Sequence, residues 1–208
     1  MKLIGQYDSP FVRRVAVALK TYGAEYEHLP WSGFGDVEKI AAASPLRRVP
    51  VLILDDGTPV TDSAAILEII DTLVGPANAV LAREGAERIE LLRLAAFAAG
   101  VADKGVSLVY ERAFRDGHEM WVARCRTQIE ETLALLARER AARTGDWLFG
   151  DTPSHADVMI GTMLTFIGEA LPGAFEFPAA LAAHREACEA LPAFAAAYQP
   201  YKLAMPGE

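Results

Sequence analysis

Strand-forming patterns stop near residue 77 of this 208-residue chain, and everything after them reads as helix. Before that point the element type changes every few residues. Residues 2–6 form a short apolar segment, and residues 10–22 carry Phe11, Val15, Ala18, Leu19 and Tyr22 at helical spacing before Gly23 stops them. Residues 25–29 are strand-like, and 36–43 predict a short helix before Ser44-Pro45. Two strands, 51–54 and 59–61, flank Asp55-Asp56-Gly57, whose chemistry is that of a hairpin turn. A helix over 62–74 then closes at Gly75-Pro76. The order is βαβα followed by ββα.

Beyond a boundary at 75–83 come two long helices, 84–115 and 119–143, and shorter ones over 154–171, 178–191 and 192–199, punctuated by Pro172, Pro178, Pro192 and Pro200. The predicted organisation is an α/β domain over 1–76 and an all-helical domain over 84–208. No internal repeat is apparent. Gly33-Phe34-Gly35 lacks the third glycine of a dinucleotide-binding turn and precedes no suitable helix, so it reads as a loop.

Apolar residues make up 52% of the chain, enough for a substantial core, and the formal charge of −8 makes nucleic acid and anionic membrane surfaces unnatural partners for the whole molecule. Lys2 is followed almost at once by Gln6, Tyr7 and Asp8, so no secretory apolar segment is expected. The longest apolar run, 94–102, falls well short of the roughly 20 residues of a membrane span. Cys125 and Cys188 are far apart, and His28, His118, His155 and His184 are scattered, so no metal-ligand spacing emerges. A cytoplasmic protein without a metal is the expectation.

Ser9 stands before Pro10, and proline is favoured at the first helical position because its missing N–H would lack a partner there anyway. Ser9 is therefore the expected N-cap, and capping alone would explain it. The same geometry allows chemistry. A hydroxyl at a helix start can donate to an anion while the helix dipole adds partial positive charge. Lowering a thiol pKa by about two units takes roughly 2.7 kcal/mol. A charge-assisted hydrogen bond supplies roughly 1.5–3 kcal/mol, and the dipole about 0.3–1 more. The chain has no cysteine here, so such a thiol would arrive with a ligand. Tyr7, at the preceding strand end, is the rival donor.

A second cluster runs through Arg47-Arg48-Val49-Pro50 and Thr61-Asp62-Ser63. Val49 precedes a proline and is biased to extended geometry, which leaves its backbone available to a peptide-like ligand. Spacing does not reveal whether the Val49–Pro50 bond is cis; trans is the ordinary expectation. Arg47 and Arg48 could hold a carboxylate or simply be a solvated loop. Asp62 and Ser63 open a helix, where one of them is an N-cap. As ligand groups, Ser63 with the first helical N–H groups suits a carboxylate and Asp62 an ammonium, the two charges of an α-amino acid head group.

Taken together, Ser9-Pro10-Phe11-Val12-Arg13, Ser44-Pro45-Leu46-Arg47-Arg48-Val49-Pro50-Val51-Leu52, Asp62-Ser63-Ala64-Ala65-Ile66 and Gly150-Asp151-Thr152-Pro153-Ser154-His155-Ala156-Asp157-Val158 resemble the cytosolic glutathione transferase family. The resemblance covers nearly the whole chain. It implies a thioredoxin-like N-terminal domain, an all-α C-terminal domain and a homodimer. It also implies glutathione as co-substrate, with Ser9 stabilising its thiolate as in the serine-type classes. Val49, beside a cis Pro50, would pair with the cysteinyl part. Asp62 and Ser63 would take the γ-glutamyl end, and Arg48 or Arg47 the glycyl carboxylate. The last motif is similar to the family's capping box, in which Ser154 caps and Asp157 reaches back, with no catalytic part. Ser44 departs from the usual asparagine and His155 from a commoner apolar residue. The lack of a cysteine near Ser9 argues against the thiol-using, omega-type members.

Along the first long helix, Ile89, Leu92, Ala96, Ala99, Asp103, Val106 and Tyr110 recur at three- and four-residue spacing. The stretch from Ile89 to Ala96 reads as core. Asp103 implies a wet cleft or an arginine partner, and Gly100 and Gly105 allow close approach. The resemblance makes Phe11 and Tyr110 candidate walls of a pocket for a small apolar electrophile. Two other classes fit the same residues: a non-catalytic interaction module, and a glutathione-dependent isomerase, dehalogenase or ether-cleaving enzyme.

Overall fold

The computed structural model describes residues 1–203; residues 204–208, the end of the expected helical domain, lie outside that range. The first elements are β1 (Lys2–Ile4), α1 (Pro10–Thr21), β2 (Glu27–Leu29), α2 (Val37–Ala43), β3 (Val51–Ile53), β4 (Pro59–Thr61) and α3 (Ser63–Val74). This is the βαβα–ββα order expected from the alternating patterns. The four strands pair in the order β2-β1-β3-β4. β1 runs parallel to β2 and antiparallel to β3, with Leu3 opposite His28 on one side and Leu52 on the other. β3 and β4 form the hairpin, in which Gly57 takes φ +86° and Asp56 accepts the Thr58 N–H at 2.8 Å. The sheet is thioredoxin-like, and Ile4, Val51 and Ile40 are buried together in its core.

The helices that follow are α4 (Gly85–Phe114), α5 (Glu119–Ala141), α6 (His155–Ala170), α7 (Ala179–Glu189) and α8 (Pro192–Ala195). The described chain divides into two compact units, Arg83–Ala190 and a unit that joins Met1–Ala82 to residues 191–203. The final segment, assigned to the helical domain over 84–208 by its helical pattern, thus groups with the sheet unit. Arg13 supplies the physical reason. From α1 it donates through Nε to Ala197 O at 3.0 Å and through Nη2 to Phe194 O at 3.1 Å. Its guanidinium lies 5.2 Å from the Phe194 ring centre and 5.3 Å from that of Tyr198. Gln199 accepts the Tyr7 N–H, and Asp8 accepts that of Lys202. These links join positions almost two hundred residues apart, which helical periodicity does not report.

Within the helical unit, α4 packs against both α5 and α6. Gly105 makes the α4–α6 contact close: a Cβ there would collide with Ile167 Cδ1 and stand 3.1 Å from Phe166. The expected core stripe is reversed on α4. Ile89 is 69% exposed and Leu92 45%, whereas Leu91, Leu94, Ala98, Val101, Ala102 and Leu108 are buried. The helix is so rich in Ala and Leu that apolar residues occupy several faces, and spacing alone picked the wrong one. Asp103 is exposed. Among the described residues no helix is long and apolar enough to cross a membrane.

Candidate functional site

The sheet unit brings its nominated groups to the loops after β1, before β3 and after β4. Ser9 caps α1 from extended backbone, φ −73° and ψ 124°, and Pro10 takes the first helical position. Its hydroxyl oxygen accepts the Val12 N–H at 3.4 Å, and among the described residues no acceptor takes the hydroxyl proton. The cap and the ligand donor are therefore compatible roles for one half-buried side chain: a lone pair serves the helix and the O–H remains available.

Tyr7 is placed differently. Its phenol makes a 2.8 Å hydrogen bond with that of Tyr26, and its ring stacks on His28 at a centroid distance of 3.9 Å. Burial raises the pKa of Tyr7, although the bond to Tyr26 pulls the other way. Burial, and then the bond to Tyr7, push Tyr26 far up as well. One phenol of the pair donates to the other and the accepting phenol keeps its own proton, so Tyr7 remains the rival donor to Ser9.

The Val49–Pro50 bond is cis. The β3 ladder begins at Val51, so the N–H and C=O of Val49 stand outside the registered pairs. Gly5 seats this segment: at φ +129° it has no side chain, and a Cβ would stand 2.9 Å from Val49 Cβ and strike Val12 on α1. Arg47 takes φ +52° and pairs with Glu38 at 2.6 Å, while Arg48 is exposed.

Asp62 is the N-cap of α3, at φ +73° and ψ 124°, a conformation that L residues seldom adopt and that gathers at functional sites. Its Oδ1 accepts the N–H groups of Ala64 at 2.8 Å and Ala65 at 3.3 Å. That leaves Ser63, buried at the first position of α3, to offer its own N–H and hydroxyl at this helix end. A carboxylate placed here would meet Ser63 rather than the following N–H groups, which Asp62 already holds.

Arg14 escaped the sequence reading. It is buried on α1, and that burial brings its guanidinium down to about 10 against the opposing pull of Asp62. The signal was present: Arg13-Arg14 interrupts an otherwise apolar run from Val12 to Leu19, and a buried arginine requires partners. Phe11, at the second position of α1, is half-buried. Tyr110 belongs to the helical unit, where it is 40% exposed and tilted against Phe114 at 5.8 Å.

The capping box is complete. Ser154 Oγ accepts the Asp157 N–H at 3.4 Å and donates to Asp157 Oδ2 at 2.6 Å, and that same oxygen accepts the Ser154 N–H at 2.8 Å. Asp157 Oδ1 accepts the Leu148 N–H at 3.0 Å. His184 lies 3.7 Å from that oxygen, and burial lowers its pKa more than Asp157 raises it.

Comparison with known proteins identifies the family of the chain. Residues 3–78 match the model of the glutathione S-transferase N-terminal domain, and residues 119–199 that of the C-terminal domain. The chain is 33% identical over 150 residues to the uncharacterized GST-like protein YibF of Escherichia coli K12, an alignment spanning 72% of this chain and 69% of YibF. A glutathione S-transferase from Methylobacterium radiotolerans, crystallised with glutathione sulfonate, superposes with a TM-score of 0.90 at 27% identity, covering 100% of this chain and 98% of the other. A bacterial maleyl pyruvate isomerase of the zeta class gives 0.78 at 25% identity, over 95% and 96% of the two chains. The chain belongs to the glutathione S-transferase family, and it is a glutathione S-transferase-like enzyme.

Proposed function

We propose that this enzyme binds reduced glutathione on its sheet unit and uses Ser9 to hold the thiol as thiolate for attack on a small apolar electrophile. The observation that carries the reading is the Ser9 hydroxyl, which accepts the Val12 N–H and keeps its own proton for a ligand. A donor at a helix start stabilises an anion through its hydrogen bond and the local dipole together. Catalysis then rests on thiolate stabilisation and on proximity of the bound partners. Val49 pairs its backbone with the cysteinyl part of glutathione beside the cis Pro50. Asp62 receives the γ-glutamyl ammonium through the oxygen not engaged with α3, and Ser63 receives the adjoining carboxylate. Arg48 or Arg47 takes the glycyl carboxylate. Phe11 is the apolar side chain that α1 offers to the electrophile.

The likeness to a maleyl pyruvate isomerase supports a second reading in which the same thiolate drives a glutathione-dependent isomerisation. Both readings share the first site and differ in the second substrate. We also assign a homodimer, supported by the exposed Ile89, Leu92 and Phe97 on α4, and a reducing cytoplasmic setting, supported by two buried free cysteines.

Isothermal titration with reduced glutathione and with S-hexylglutathione tests the reading. Saturable binding, tighter for the hexyl form, is expected. No heat with either ligand would leave the fold intact and remove the enzymatic assignment.

A further inference from the structure

The helical unit contains a cleft of about 590 Å³ between the end of α4, the start of α5 and the turn after α6. Its walls are apolar at Leu108, Val122, Leu171 and Pro172. Glu111 also lines it and is only 2% exposed. One carboxylate oxygen, Oε1, takes an ion pair from Arg115, whose side chain reaches in from the surface. The other, Oε2, is buried with no hydrogen-bond partner. A carboxylate oxygen removed from water and left unpaired is unfavourable, and a ligand carrying N–H donors relieves it.

The charged lining, Glu111, Asp116 and Glu119 against Arg112 and Arg126, carries one net negative charge. Asp116 and Glu119 add two further carboxylates to the lining. Of the two lining arginines, Arg126 is engaged with the wall, donating to Ala174 O at 3.1 Å with its guanidinium 5.1 Å from the Phe175 ring centre. None of these residues belongs to the sheet unit that carries Ser9 and Asp62. Tyr110 projects from a different side of α4, since neighbouring residues of a helix point about 100° apart.

We propose that this cleft is a second ligand site, for a small amphipathic amine whose ammonium group turns the Glu111 carboxylate toward it and donates to Oε2, and whose apolar body packs on Leu108, Val122 and Leu171. Site and ligand are independent of the glutathione reading. Binding there needs no thiol and no Ser9.

Phenethylamine, titrated into the full-length protein already saturated with S-hexylglutathione, is the direct probe. Saturable binding is expected, with phenethyl alcohol at least tenfold weaker because it carries no charge for Glu111. Glu111→Gln should lower phenethylamine affinity at least tenfold while leaving titration with S-hexylglutathione unchanged. Val122→Trp, which fills the cleft and keeps the carboxylate, should abolish amine binding and decides the matter if the glutamine variant fails to fold. No saturable binding to the wild-type protein, or equal affinity for amine and alcohol, would overturn the proposal. Undiminished binding in the folded variants would do the same.

Discussion

Two serines begin helices in this molecule through the same 3.4 Å contact, and they differ in what happens to the hydroxyl proton. Ser154 is fully buried and gives its proton to Asp157 at 2.6 Å, which closes the box on itself. Ser9 is half-buried and gives its proton to no group among the described residues. A closed cap stabilises one helix and nothing else. An open cap stabilises its helix less and leaves one donor aimed at whatever binds. Local sequence distinguishes the two at the residue three positions on: Asp157 in one case, Val12 in the other.

Removing the centre of the closed network should give the largest effect. Asp157 serves the N–H of Ser154, the hydroxyl of Ser154 and the N–H of Leu148 inside the core. Asp157→Ala leaves these donors buried without a partner, so a loss of about 3–5 kcal/mol is expected from chemical denaturation. A loss below about 1 kcal/mol, the size of an ordinary surface change, would mean that the closed cap is dispensable.

The matched pair of alanine variants divides stability from turnover. Ser154→Ala should cost about 1–2 kcal/mol of stability and leave glutathione conjugation per folded molecule intact. Ser9→Ala should cost less stability and lower turnover about tenfold to a hundredfold, the kinetic equivalent of one charge-assisted hydrogen bond. Glutathione affinity should change less than turnover. Conjugation at an unchanged rate in the Ser9 variant would reject the open cap as the thiolate donor.

A smaller effect comes from pH. Burial lowers the pKa of His184, against the pull of Asp157, so the folded protein favours the neutral ring beside Trp147. The unfolded chain, with an ordinary value of about 6.5, binds more protons between the lowered value and that point. Stability from neutral His184 is therefore complete above about pH 6.5 and is lost as pH falls toward the folded value. Melting temperatures of the wild type and His184→Gln, followed from neutral to mildly acidic pH, should converge as pH falls. Parallel curves would show that this histidine does not carry the acid sensitivity.

The sequence displayed most of the sheet unit because its elements are short and locally punctuated. Pro10, Asp56-Gly57 and Gly75 mark boundaries that the structure keeps to within a residue or two. The capping box was equally legible, since both partners lie within four residues. What it hid is non-local. Arg13 holding the carbonyls of Phe194 and Ala197, Arg14 beside Asp62, and Gly5 making room for Val49 all depend on the folded chain. The exposed side of α4 was misread because alanine and leucine fit several faces equally well. At the candidate site the residue types were readable. The positive φ of Asp62 and the loss of two helix N–H groups to its own side chain were not.

The smallest predicted effect tests the comparison from its other side, through the phenol two residues before Ser9. Tyr7 and Tyr26 share one hydrogen bond at 2.8 Å, and Lys20 lies 5.6 Å from the Tyr26 ring centre, which ties the pair to the opposite end of α1 from its cap. Tyr7→Phe removes one partly buried hydrogen bond and should cost about 0.5–1.5 kcal/mol of stability. Turnover should hold, because the ring, its stacking on His28 and the Ser9 cap are all retained. Ultraviolet titration of the bound thiolate makes the result decisive. The pKa of bound glutathione should rise in the Ser9 variant and stay at its wild-type value in the Tyr7 variant. If it rises in the Tyr7 variant instead, the donor is the phenol, and Ser9 serves its helix alone.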